Sequence, residues 1–261
     1  MFFWRSSVVI EKFIKRPRNV EVQIVGDAQG KVHALFEREC SIQRRHQKVL
    51  EEAPSPVVTP EMRAKMAEAA QRAGESAGYK NAGTVEFIVD GKTLEFFFLE
   101  VNARLQVEHP VTEMVLGVDL VEAQLRVACG EPLPFDPSTF KINGHAVEAR
   151  VCAEDPEKRF IPSPGTITEL TLPSGEGIRV ETGVASGSVV TPYYDSLLMK
   201  IIAHGKDRQE ATQRLLAAVR ATVVVGIKTN LPLLDKVLAS DVFKSGELHT
   251  DLLAEAFGLK S

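Results

Sequence analysis

The chain has 261 residues, 44% hydrophobic and 25% charged, the size and make-up of one large or two medium soluble domains. A formal net charge of −4 gives no electrostatic footprint for nucleic acid or a membrane surface, and no apolar run approaches the roughly 18 residues that span a bilayer. Three widely spaced cysteines (Cys40, Cys129, Cys152), none in a C-x-x-C pattern, favour a reducing cytosol over a disulfide framework or a thiolate zinc site. The start, Met1-Phe2-Phe3-Trp4-Arg5, is too short and too soon charged for a signal peptide, and reads as a poorly placed terminus or a displaced start codon.

Val8, Val9 and Ile10 form a short apolar approach to Glu11–Ile14. A strand over Val20–Gly26 turns at Asp27–Gly30 and returns over Lys31–Glu39, a hairpin with Gly30 in the turn. Next comes Gln43-Arg44-Arg45-His46-Gln47-Lys48, a dense run of cations and amides. Flanked by Glu37, Glu39, Glu51 and Glu52, it reads equally as a solvated loop or as a salt-bridged site wall. Thr59-Pro60-Glu61 has the N-cap, the proline and the first-turn carboxylate of a helix start. Met62, Met66, Ala69, Ala70 and Ala73 follow at helical spacing, as core positions. Gly83–Val89 is a strand, Asp90-Gly91 a turn, and Leu94–Val101 the antiparallel return.

The return leads into the most ordered stretch of the sequence, Phe97–Pro110. Taken as extended chain, it puts Phe97, Leu99, Val101, Ala103, Leu105 and Val107 on one face. Glu100, Asn102, Arg104, Gln106 and Glu108 fall on the other, a polar row on an apolar backing. Glu86 sits inside the apolar run of the partner strand, a costly place for a carboxylate unless cations or a metal meet it. Facing carboxylates repel or share a proton, and a hard divalent cation between them removes the conflict. Magnesium takes one or two carboxylates and fills its other positions with water and phosphate. Glu86, Glu100 and the neutral oxygen of Asn102 therefore suit Mg-nucleotide and not zinc.

Val118-Asp119-Leu120 opens an amphipathic helix ending near Cys129-Gly130. Pro132, Pro134 and Pro137 then stiffen the best internal boundary of the chain. Strands are expected over His145–Ala153, Gly165–Leu172, Gly177–Val184 and Tyr193–Ala203. Asp207-Arg208-Gln209-Glu210 has capping-box spacing for a helix through Leu215, Leu216 and Val219, and short helices follow at Leu231–Leu238 and His249–Phe257.

The run F-L-E-V-N-A-R-L-Q-V-E-H-P-V-T-E within Glu95–Glu113 resembles the signature of the biotin carboxylases, members of the ATP-grasp superfamily. Cys40–Lys48 followed by Glu51-Glu52-Ala53-Pro54 matches a second motif, and Gly144–Arg150 with Ala153–Pro156 a third. Pro192–Ser196 and Gly226–Asn230 match the closing motifs, so the resemblance runs from about Val9 to Leu259. It implies an α+β fold. Residues 1–131 would be the carboxyl-terminal subdomain of an ATP-grasp domain, an antiparallel sheet with helices, without the amino-terminal domain or the glycine-rich lid. Residues 138–261 would be the biotin carboxylase carboxyl-terminal domain.

The implied activity is ATP-dependent carboxylation of biotin by bicarbonate through carboxyphosphate, within an acyl-CoA (acetyl-, propionyl- or methylcrotonyl-CoA) carboxylase. By resemblance, Glu86, Glu100 and Asn102 hold Mg2+ or Mn2+. Lys48, Arg104, Gln106 and the backbone at Val107 seat bicarbonate, and Glu108 deprotonates it. Arg150 stabilises the biotin enolate. Glu11, Lys12, Ile14, Gln43 and His46, with Glu86 and Glu100, contact ATP. His109 is read as a structural histidine. Asn19 stands where the family has a histidine, and the hairpin between Glu86 and Glu100 is a residue or two long. No G-G-G-G-K-like run and no biotin-bearing A-M-K-M segment occurs, so biotin is expected on a separate carrier or a continuation, and the chain alone is expected to be inactive. The implied partners are a biotin carboxyl carrier protein or domain, a carboxyltransferase, and a second copy in a homodimer, with no nucleic acid and no membrane. The implied location is the cytoplasm, or the mitochondrial matrix for a longer precursor. Two other readings stay open: a non-catalytic dimerising fragment of a split or truncated gene, and a different ATP-grasp carboxylate–amine ligase. The R-L-Q-V-E-H and Q-R-R-H-Q-K runs argue against the ligase.

Overall fold

The computed structural model describes residue 8 and residues 10–259; the readings of Met1–Arg5 as a misplaced terminus and of Val9 in the apolar approach lie outside the described residues. The first part runs β1 (Arg18–Gly26), β2 (Val32–Arg44), β3 (Gln47–Ala53), α1 (Pro60–Ser76), β4 (Asn81–Val89), β5 (Phe96–Asn102), α2 (His109–Leu116) and α3 (Leu120–Ala128). After the proline connector come β6 (His145–Cys152), β7 (Glu154–Asp155), β8 (Ile161–Pro162), β9 (Gly165–Thr166), β10 (Glu169–Thr171), β11 (Ile178–Thr182), β12 (Val189–Val190) and β13 (Leu197–Gly205). The chain closes with α4 (Arg208–Ala221), β14 (Val223–Val225), α5 (Leu231–Ala239), α6 (Asp241–Lys244) and α7 (Leu252–Phe257).

Eight strands form one antiparallel sheet in the order β11-β13-β6-β3-β2-β1-β4-β5. The sheet crosses the connector: β3 pairs with β6, Leu50 opposite Ala149 and Glu51 opposite Glu148. The prolines therefore join two parts of a continuous sheet. Two main cores flank the sheet, and the second reaches back across the connector to Ile42, Val49 and Leu50. Met62, Met66 and Ala70 of α1 pack on Val20, Val22, Val85 and Phe87, with Ala69 and Ala73 at the margin. Leu215 and Val219 of α4 and Leu234 and Val237 of α5 pack on Val147, Val151 and Ile201. Truncating a fully buried side chain such as Met66 to alanine costs about 2–5 kcal/mol.

The helix starts follow their local chemistry. The Thr59 hydroxyl accepts from the Met62 N–H at 3.2 Å, Asp119 from Glu122 at 2.8 Å, and Asp207 from Glu210 at 2.8 Å. Two sequence expectations change. The Gln43–Lys48 run is not a solvated loop but the tip of the β2–β3 hairpin, and it forms a salt-bridged wall of a polar cleft. Arg44 pairs with Gln47 across a two-residue turn in which Arg45 and His46 both have positive φ (50° and 65°), the backbone of the favoured hairpin turn. Phe97–Pro110 is extended only as far as Asn102, and Pro110 helps to start α2, which stops at the left-handed Gly117.

The apolar backing of that stretch is also incomplete. Glu86 faces Glu100 across the β4–β5 pair, yet Phe87 faces Phe98, so one extra residue bulges between them and reverses the alternation. Phe97 consequently lies opposite Ile88, on the face that carries Glu100. β5 is the sheet edge, while α1 packs over β1 and β2 and α3 over β4. Phe97, Phe98, Leu99 and Val101 thus remain 39%, 59%, 45% and 36% exposed.

Candidate active site

The polar face of the sheet opens into a cleft of about 380 Å³. Gln43, His46, Lys48, Glu86, Glu100, Asn102, Arg104, Gln106, Val107, Glu108 and Arg150 all line it, joined by Asn19, Gln47 and Leu99. Glu11, Lys12 and Ile14 are not among its lining residues. The Lys12 ammonium sits 3.7 Å from Glu95 and 5.0 Å from the centre of the Phe97 ring, at the outer edge of β5. A neighbouring cavity of about 480 Å³ is bordered by Arg44, Arg45, Arg159 and Phe160, with Glu157 as its one carboxylate.

At the floor of the cleft, Lys48 Nζ donates to three carboxylates: Glu21 at 2.6 Å, Glu86 at 2.9 Å and Glu108 at 2.6 Å. Burial alone would pull this ammonium towards neutrality, but Glu21 and then its other anionic neighbours outweigh burial and raise its pKa, so Lys48 is cationic. Glu108 is also buried. Burial pushes its carboxyl up, yet Lys48, Arg150 and Arg38 hold it well below the usual carboxylate range. Arg150 completes the link, donating from Nε to Glu51 at 2.5 Å and from Nη2 to Glu108 at 2.9 Å. Burial pushes Glu51 up to about 7 despite Arg150. Glu148, facing Glu51 in the β3–β6 ladder, is fully buried with neither oxygen hydrogen-bonded; burial and then the Glu51 carboxylate push its carboxyl well above the ordinary carboxylate range.

The rim differs. Glu86 Oε1 accepts from the amides of Asn102 (3.0 Å) and Gln106 (2.9 Å), and Oε2 from Asn19 at 3.1 Å. The Asn19 carbonyl oxygen is left buried without a partner. Glu100 meets only the Asn102 amide, at 3.2 Å, and Arg104 donates only to the Leu105 carbonyl, at 3.3 Å, among the described residues. Two carboxylates on facing strands, with an amide whose oxygen a half-turn presents to the same point, make an all-oxygen donor set. That set fits a hard cation such as Mg2+ or Mn2+ sharing its sphere with phosphate.

Several residues of the floor escaped the sequence reading. Arg38 is wholly buried and bonds Glu21 and Gln23 at 2.6 Å, Thr84 and Thr112 at 3.1 Å, and Gln106 at 3.3 Å. It holds Glu21 and the Gln106 amide in place. The signal was present in Val20-Glu21-Val22-Gln23-Ile24, which puts polar residues on one face of an apolar strand as Glu86 does in β4. Glu148 shows the same signal in Val147-Glu148-Ala149-Arg150-Val151, on the parity of Arg150, whereas Lys200 in β13 carried none as clear.

Two family models divide the chain: the carbamoyl-phosphate synthase L chain ATP binding domain over residues 1–135, and the biotin carboxylase C-terminal domain over residues 148–255. The chain belongs to the biotin carboxylase family. It is 53% identical over 254 residues to biotin carboxylase 2 of Bacillus subtilis (strain 168), covering 97% of this chain and 57% of that protein. The biotin carboxylase of Halalkalibacterium halodurans is 48% identical over 260 residues, 100% of this chain and 57% of that protein. The biotin carboxylase domain dimer of the Hydrogenobacter thermophilus 2-oxoglutarate carboxylase, solved with MgADP, ADP and bicarbonate, superposes with a TM-score of 0.92 at 43% identity, over 95% of this chain and 55% of that chain. The chain thus spans little more than half the length of these biotin carboxylases. Among the described residues, no helix is long and apolar enough to cross a membrane.

Proposed function

We propose that the chain supplies the metal, bicarbonate and biotin side of an ATP-dependent biotin carboxylase. The observation that carries this reading is one cleft in which Lys48 bridges Glu86 and Glu108 while Arg150 grips the second oxygen of Glu108. Glu86, Glu100 and Asn102 hold Mg2+ or Mn2+, which when bound offsets the charge of the ATP phosphates. Arg104, exposed and without an ion pair among the described residues, supplies a planar fork for bicarbonate, together with Lys48, Gln106 and the Val107 N–H.

Glu108 takes the proton of bicarbonate, whose freed oxygen attacks the γ-phosphate and displaces ADP to give carboxyphosphate. This splits into CO2 and phosphate, the phosphate takes the proton of the biotin ureido nitrogen, and the nitrogen of the resulting enolate attacks CO2. Lys48 and Arg150 hold Glu108 as a carboxylate and therefore a weak base. As Lys48 turns towards bicarbonate and Arg150 towards the biotin enolate, Glu108 loses cationic contacts and its proton affinity rises at the moment a base is needed. Gln43 and His46 at the hairpin tip, with Glu11, Lys12 and Ile14, contact the nucleotide. A biotin carboxyl carrier protein or domain and a carboxyltransferase complete the pathway, and a second copy forms the dimer. The Pro110-Val111-Thr112-Glu113 run leans towards an acyl-CoA carboxylase over a pyruvate carboxylase as the system.

The test is bicarbonate-dependent ATP hydrolysis, with and without free biotin, by the 261-residue chain alone and mixed with a separately expressed amino-terminal half of a relative. Activity is expected only in the mixture, because these 261 residues hold no G-G-G-G-K-like run to close over the phosphates. Turnover in the mixture that survives both E108Q and R150M would defeat the assignment of the base and the enolate cation.

A further inference from the structure

Gln106, Val107 and Glu108 lie between β5 and α2 in neither strand nor helix. Among the described residues, only two long backbone–backbone turn bonds touch them, from the His109 N–H to the Gln106 carbonyl and from the Val111 N–H to the Glu108 carbonyl, both at 3.3 Å. Two buried side chains grip it from behind. His109, 7% exposed, turns its ring back so that Nδ1 lies 2.8 Å from the Gln106 carbonyl oxygen. A carbonyl can only accept, so Nδ1 carries the proton. The other ring nitrogen, Nε2, is buried without a hydrogen bond and stands 3.8 Å from Glu113, leaving the Gln106 carbonyl as the one partner of the ring. Lys200 of β13, 8% exposed, donates from Nζ to the Val107 carbonyl at 2.7 Å and is held in turn by Glu181 at 2.6 Å.

In a trans peptide the C=O and N–H bonds point in opposite directions. Among the described residues the only cis bond is Ala53–Pro54, so the peptides on both sides of Val107 are trans. Tying the Gln106 carbonyl back to His109 turns the N–H of the same peptide, that of Val107, the other way. That N–H has no acceptor among the described residues, and Val107 lines the cleft. Tying the Val107 carbonyl to Lys200 fixes the next peptide, which carries the N–H of Glu108. We propose that His109 and Lys200 are positioning residues that hold two successive peptides so that the Val107 N–H is aimed in advance at a planar oxyanion of the bicarbonate class. A donor fixed beforehand needs no reorganisation when the anion arrives. The inference rests on the reading that this segment seats bicarbonate.

The test uses backbone amide NMR of the whole chain titrated with sodium bicarbonate at constant pH, with sodium chloride as the ionic-strength control. In the wild type the Val107 amide should shift saturably. H109A should lose that response and bind bicarbonate roughly tenfold or more weakly. H109N puts an amide N–H where Nδ1 stood and should restore both, a rescue that a merely space-filling histidine would not show. K200M should move the Val107 and Glu108 resonances before any bicarbonate is added. Wild-type imidazole nitrogen shifts should report the Nδ1–H form, a readout that survives even if H109A fails to fold. An Nε2–H ring, or an H109A chain that binds bicarbonate with an unaltered Val107 response, overturns the proposal. Bicarbonate binding that leaves Val107 unmoved overturns the positioning role alone, whereas a wild-type chain that binds no bicarbonate brings down the parent reading and this one with it.

Discussion

The floor and the rim of the cleft use the same residue types to opposite ends. On the floor, Glu21, Arg38, Lys48, Glu51, Glu108 and Arg150 are buried or nearly so, and the cations are each tied to at least one carboxylate. On the rim, Glu100 and Arg104 are exposed, and between them they make one amide contact and one backbone contact. Buried charges have to be paired within the protein because no water is there to solvate them. Rim charges can wait for partners that bring their own charge. The floor therefore sets geometry, and the rim keeps Glu100 and Arg104 free of protein ion pairs among the described residues, as the proposed metal–phosphate and anion sites require.

The sharpest way to break this contrast is Lys48→Met, which leaves Glu21, Glu86 and Glu108 facing one another without their shared cation. A loss of about 3–5 kcal/mol is expected from urea denaturation, since a buried pair is being broken from one side. Next in size is Glu51→Gln. Folded Glu51 holds its proton up to about pH 7, against an ordinary value of 4.5, so the native state binds more protons than the unfolded chain in that window. Its contribution to stability is full below pH 4.5 and lost as pH rises towards 7, which the substitution should abolish. The expected difference in slope amounts to roughly 1–3 kcal/mol between pH 4.5 and 7, read from urea midpoints of the two proteins. Smallest in stability is Arg104→Ala, for which the urea midpoint should not move, while bicarbonate binding weakens by tenfold or more on the same NMR titration. A midpoint shift as large as that of Lys48→Met would erase the distinction between rim and floor.

Elements whose chemistry is local were legible in the sequence. The Thr59, Asp119 and Asp207 caps and the Asp90-Gly91 turn of the β4–β5 hairpin follow from side chains within a few residues of one another, which put Glu86 and Glu100 on paired strands without fixing their register. What escaped depends on sequence-distant pairing or on a single-residue shift. The bulge at Leu99 reverses the parity of every residue before it, and strict alternation cannot register one extra residue. α2 was hidden because Glu108, His109 and Pro110 continue the alternation of the strand while belonging to a helix start. The floor was half visible. Lys48, Glu108 and Arg150 stood out through the family motifs and Glu21 and Glu148 show as polar positions on apolar strands, whereas Arg38 and Lys200 gain meaning only once β1, β2, β6 and β13 lie side by side.

The ladder between β3 and β6 has a kinematic consequence. Lys48 rides on β3 and Arg150 on β6, neighbouring strands that pair from Leu50–Ala149 to Ala53–Ala146. Adjacent strands stand about 4.8 Å apart and slide only by breaking several hydrogen bonds together. Both residues sit just beyond the paired stretch, so the two cations are anchored at a near-constant backbone separation while their long side chains stay free to turn. Any molecule that enters the cleft therefore meets a gauge whose anchor points are set by strand spacing and whose reach is set by side-chain rotation.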